Sequence, residues 1–167
     1  EDYDAGAVSV RYAWSNLEDE ELSTEATIQL SNGWASPGDE ITCNVTIIEN
    51  GNTQNVSTQA DTVVVQNTLP VIEEIQISPS DQIVVASTLV CQASASDIDG
   101  DEPTLSYAWT IDGVDGGSGE ELLLEGTSAV DDSVIECIVL ATDSTGGTTT
   151  GQLAVQVGNT APVIDSI

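Results

Sequence analysis

Apolar and polar residues alternate along most of the chain, with turn residues between the alternating runs. Leu89, Cys91, Ala93 and Ala95 fall on one parity, and Val90, Gln92, Ser94 and Ser96 on the other. Leu105, Tyr107, Trp109 and Ile111 share a face, with Ser106, Ala108 and Thr110 opposite. A period of two is the mark of a half-buried strand. The pattern predicts strands over 71–77, 89–96, 105–111, 121–125, 134–141 and 152–157, separated by Asn, Asp, Gly and Pro clusters. No long stretch repeats with the helical period, so the expected class is all-β.

The pattern is also written more than once. Asp2, Asp4, Tyr12 and Trp14 recur 95 positions later as Asp97, Asp99, Tyr107 and Trp109. Cys43 recurs 94 later as Cys137, and NTLPVIEEI from Asn67 recurs 92 later as NTAPVIDSI from Asn159. Drift of three positions means small loop deletions between copies of one unit. The expected organisation is a first repeat over 1–66 lacking its first strands, a complete repeat over 67–158, and over 159–167 the first strand of a following repeat or a donor strand. Such a chain looks cut from a longer tandem array. The other arrangement is completion of the incomplete ends by strands of neighbouring chains.

Cys91, Trp109 and Cys137 all fall at inward parity, on the second, third and penultimate predicted strands. This spacing resembles the immunoglobulin pattern, in which an inter-sheet disulfide packs on a tryptophan. The resemblance implies tandem Ig-like β-sandwiches with a Cys91–Cys137 bridge. Two buried free thiols, acting as small hydrophobes, are the alternative. Closing that loop contributes about 4 kcal/mol in the chain-entropy picture, and a disulfide implies an oxidising, extracellular setting. Cys43 has no counterpart of Cys91 in the first copy, so its partner is expected in the missing strand or on another chain.

The stretch SDIDGDEPTLSYAW resembles the Asp-x-Asp-Gly-Asp loop and Tyr-x-Trp strand of PKD-type and cadherin-like repeats in prokaryotic surface proteins. ATDSTGG (141–147) and NTAPVI resemble the closing turn and the joint of such units, and the likeness covers nearly the whole chain. The resemblance implies extracellular stalks, adhesins or spacer modules, often stiffened by calcium. The residues support a metal independently: Ca²⁺ takes six to eight hard oxygens, and alternate carboxylates in one tight loop supply several. The candidate ligands are Asp97, Asp99 and Asp101, with Asp143 and Asn67 brought near if the loops share one end of the sandwich. Asp2, Asp4 and Glu49 form a weaker second set, because Gly6 replaces the third Asp. The alternative is a solvated Asp/Gly turn. The helices and twelfth-position Glu of an EF-hand are absent.

Charge narrows the function. The chain carries 29 acids against one base, Arg11, a net charge of −28. Such a surface repels nucleic acid and anionic lipid and favours bound cations or salt. No apolar run reaches membrane-spanning length. There is no His and no Lys, so the usual general bases for Ser or Cys nucleophiles are missing. Lysine–asparagine cross-links are ruled out for the same reason. Carboxylates in a repeated turn do not make a glycosidase cleft, and the cysteines lack zinc spacing.

Asn44 and Asn55 head glycosylation sequons, which arise easily by chance in an Asn- and Thr-rich chain. Trp34, in NGWASPGDE, either caps a core or stacks on a sugar or a partner. The reading is a non-catalytic extracellular structural repeat of a stalk, adhesin or fibre, with neighbouring copies as partners. The alternatives are a carbohydrate- or protein-binding adhesin module and an accessory domain of a secreted hydrolase.

Overall fold

The computed structural model describes residues 7–30, 33–49, 56–100 and 102–159. Every element among them is a strand. The chain divides into two compact units between Asn67 and Thr68.

The second unit contains β5 (Val71–Ser78), β6 (Thr88–Ser96), β7 (Thr104–Ile111), β8 (Val114–Ser118), β9 (Glu121–Leu123), β10 (Val134–Thr142) and β11 (Thr148–Gln156). They make a three-stranded sheet, β5-β6-β9, and a four-stranded sheet, β11-β10-β7-β8. All pairings are antiparallel. The inward residues of both sheets form one core around Trp109, Leu89, Ile135, Val139 and Val157. Leu89, Ile135 and Val139 are fully buried; burying side chains of this size contributes about 1.5–3 kcal/mol each.

The predicted disulfide joins β6 to β10, Cys91 to Cys137, with the two Cα atoms 6.4 Å apart. Trp109 stands across the ladder from Cys137. Its indole N–H donates to the Gly119 carbonyl at 2.9 Å, so the largest core side chain leaves no unpaired donor. Two antiparallel sheets, a buried Trp and a bridge between them define an Ig-like β-sandwich.

One strand lies outside the sequence-based expectation. Residues VDGGS of β8 show no apolar alternation, yet Asp112 and Gly113 have φ of 51° and 78°. Positive φ at both central positions is what a two-residue hairpin turn requires. β8 therefore folds back on β7, and Gly116 lies so close that an added Cβ would meet Ile111 Cγ1 at 3.2 Å.

The first unit contains β1 (Val8–Ser15), β2 (Glu21–Ser23), β3 (Glu40–Glu49) and β4 (Val56–Val64). Among its described residues they make one sheet, in the order β2-β1-β3-β4. This is the order β8-β7-β10-β11 of the second unit, and the register agrees: Trp14 stands opposite Cys43 as Trp109 stands opposite Cys137. On its outer face Thr42 is bonded to Thr62 across the ladder at 2.9 Å.

Candidate joint site at the Asp loop

The loop between β6 and β7 is shaped by its first Asp. Asp97 Oδ1 accepts the Asp99 amide at 2.8 Å, and the Asp97 carbonyl accepts the Gly100 amide at 3.2 Å. Gly100 sits at φ 92°, a conformation that glycine adopts without steric cost.

With the loop so turned, Asp99 faces the segment that enters β5. Its Oδ2 accepts the Thr68 amide at 2.7 Å and the Thr68 hydroxyl at 2.8 Å. The same hydroxyl lies 3.4 Å from Asp97 Oδ1. Thr68 is the first residue of the second unit, so the Asp loop grips the chain where the unit begins. Bonds to a carboxylate are the stronger kind.

Asp97 has a further feature. Its Oδ2 is buried and has no hydrogen-bond partner among the described residues. A buried carboxylate oxygen without a donor is costly, and it is the kind of atom that a hard cation satisfies.

Asp143, on the β10–β11 turn, is buried. Its Oδ1 accepts the Thr145 amide at 2.9 Å, the Thr145 hydroxyl at 2.8 Å and the Gly147 amide at 2.7 Å. These three bonds close its own hairpin. Among the described residues no group of three or more Asp, Glu, Cys or His is placed to hold a metal ion. Asp101, Asp2 and Asp4 lie outside the described residues, as does Asn55. Glu49 ends β3 opposite Val8, and Asn67 precedes the residue that the loop grips.

Two residues the sequence reading did not single out matter here. Thr68 is the partner of the loop; its signal was the recurrence of Asn-Thr in both joint motifs. Asp112 is the other. Its Oδ1 accepts the Val134 amide at 2.9 Å and its Oδ2 the Ser133 hydroxyl at 2.8 Å, tying the β7–β8 turn to the start of β10. The Val134 amide first, and the Ser133 hydroxyl second, hold its pKa below the ordinary value.

Of the remaining candidates, Asn44 lies at mid-sheet on β3, between Ala13 and Ala60 on the flanking strands. These small neighbours leave room on the outer face. Trp34 is 45% exposed. Cys43 is a free thiol. No helix is long and apolar enough to cross a membrane among the described residues.

No family model matches the chain, and no curated protein matches it. Solved structures do. The fibronectin(III)-like modules of Clostridium thermocellum CbhA match over 95% of this chain and 82% of theirs, at 18% identity and a TM-score of 0.35. The three N-terminal domains of the bacteriophage RB49 highly immunogenic outer capsid protein (Hoc) match over 95% of this chain and 50% of theirs. The identity there is 11% and the TM-score 0.37. This chain thus spans half the length of the Hoc structure. At these scores the Ig-like assignment rests on strand order, register and the disulfide.

Proposed function

We propose that the protein is a non-catalytic structural repeat of an extracellular stalk, adhesin or fibre, related to PKD-type or cadherin-like modules, whose joints are fixed by the Asp loop. The observation that carries this reading is the grip of Asp99 on Thr68 at the first residue of a unit. A loop that holds its own unit's entry limits how the chain can swing there. The same loop and the same joint motif recur along the sequence, as a row of like modules requires. The Cys91–Cys137 bridge suits an oxidising exterior, and the acidic coat discourages edge-to-edge association.

Calcium deepens this reading. The orphaned Asp97 Oδ2 fits a cation, and Asp97, Asp99 and Asp101 would hold it. Bound there, Ca²⁺ would neutralise like charges and lock the loop that grips Thr68. The test is a thermal melt in calcium and in excess EDTA at fixed ionic strength. An upward shift in calcium that disappears in Asp97→Asn supports a metal-stiffened joint. Coincident melts remove the metal and leave the hydrogen-bonded grip.

The exposure of Trp34 favours one second reading, a binding module for a glycan or protein surface ligand. Glycan-array binding lost in Trp34→Ala would support it.

A further inference from the structure

In the second unit the chain enters and leaves at opposite ends. Thr68 is held by Asp99 before the start of β5. Val71 pairs with Ser96, the Asp loop leads on to Thr104, Thr104 pairs with Thr142, and Thr142 with Thr148. β5 and β11 therefore start at the same end and run away from it together. At the far end Val157 is fully buried and bonds to Asp132 and Ser133, and the Gly158 amide donates to the Ile83 carbonyl at 2.7 Å. A load along the chain thus enters through Thr68 and Gly158 and acts along both terminal strands. Antiparallel ladder bonds lie across the strands, so such a load strains all the bonds of a ladder together instead of opening them in turn.

The two loaded strands also interlock. They belong to different sheets, yet Ile72 and Ile75 of β5 fill the space over Gly151 of β11. A Cβ at Gly151 would meet Ile75 Cδ1 at 2.8 Å and Ile72 Cδ1 at 3.2 Å. The load draws β5 toward its start and β11 toward its end. Ile75 must then pass Thr149, the next inward residue of β11, whose ladder partner is the buried Ala141. Close-packed side chains resist such a slide because each step forfeits contacts. Behind the strands stands the bridge between β6 and β10. While it is intact, only residues 68–91 and 137–158 can be drawn out.

We infer that the second unit is a two-stage extensible element with a built-in stop. In the first stage β5 and β11 slide apart past the contact of Ile75 with Gly151, and the Cys91–Cys137 bridge halts the extension. The second stage needs a reductant and releases the 46-residue separation between the cysteines. Both cysteines are 0% exposed in the folded unit, so the reductant reaches them only after the first stage. With a dithiol, one thiolate attacks a bridge sulfur and displaces the other cysteine, and the second thiolate then displaces the first. Two electrons pass to the bridge, Cys91 and Cys137 become thiols, and the dithiol leaves as a cyclic disulfide. The purpose of the device rests on the stalk reading, but the order of its stages depends on neither calcium nor the grip on Thr68.

The test is single-molecule extension of the whole chain at constant force, with handles joined to its two ends through peptide tags, with and without dithiothreitol. The expected record without reductant has a step from the second unit shorter than about 150 Å. With reductant a further step of about 150 Å follows it and never precedes it. Ile75→Ala should shorten the wait for the first step about tenfold and leave the second unchanged. Leu122→Ala is the control, because β9 packs beside β6 and β8 and lies within the protected loop. It should lower chemical stability but shorten the wait less than about threefold. The wild-type record alone tests the stop. Full extension without reductant, or a reductant step that comes first, overturns it. Equal shortening by the two variants overturns the interlock. Failure of the joint reading, seen as melts indifferent to calcium and to Asp99, would change neither step length and so is distinguishable.

Discussion

The grip on Thr68 can be tested as a pairwise energy. Asp99 Oδ2 accepts two bonds from Thr68, at 2.7 and 2.8 Å. Both are exposed to solvent, so each is worth about 1 kcal/mol rather than the upper range for charged acceptors. Thr68→Val preserves shape and the amide bond and removes only the hydroxyl, at about 1 kcal/mol. Asp99→Ala removes both bonds, at about 2 kcal/mol. In the double variant the lost hydroxyl has no acceptor left to miss, so the total stays near 2 kcal/mol and the coupling is about 1 kcal/mol. The assay is denaturant unfolding in EDTA, read by hydrogen exchange in peptides from β10, which report the second unit alone. Additive losses, about 3 kcal/mol in the double variant, would refute the contact.

Three further outcomes are expected. Replacing Cys91 and Cys137 together by Ala should lower the stability of the second unit by about 4 kcal/mol, less any relaxation of the unfolded chain, as read by denaturant titration. Asp112 has a lowered folded pKa, so its contribution is present above the ordinary value of 3.8 and is lost as pH falls through the folded pKa. Asp112→Asn should therefore flatten the acid limb of the stability–pH curve, and an unchanged limb would contradict the bonds to Val134 and Ser133. Gly151→Val should destabilise the second unit by about 1–3 kcal/mol through overpacking against Ile72 and Ile75, measured by the same titration.

What the sequence disclosed follows from what sequence patterns encode. Parity placed Leu89, Cys91, Trp109 and Cys137 inward, because one face of each strand must be dry while the other is wet. β8 was not legible by that rule. Its neighbour β7 and the Asp112–Gly113 turn make it a strand, and VDGGS has no alternation of its own. The Asp loop was legible as a cluster, but its target was not. Thr68 meets Asp99 across 31 residues through an amide and a hydroxyl, and neither leaves a periodic trace. Asp143 was read as a member of the same cluster. Its Oδ1 accepts three bonds within its own turn, a short-range role that the Asp-Ser-Thr-Gly-Gly sequence also fits.

The two units separate local preference from tertiary support within one molecule. Residues 28–30 and 122–124 share an apolar alternation, and the sheets beside them share order and register. Glu121–Leu123 form a strand on the ladder that β6 supplies; among the described residues 28–30 pair with no strand and form none. Alternation therefore states which face a segment would bury, and the ladder decides whether it becomes a strand. The same distinction applies to Cys43 and Cys137. Their cross-strand partners, Trp14 and Trp109, are the same, and Cys137 bonds to Cys91 on the opposing sheet.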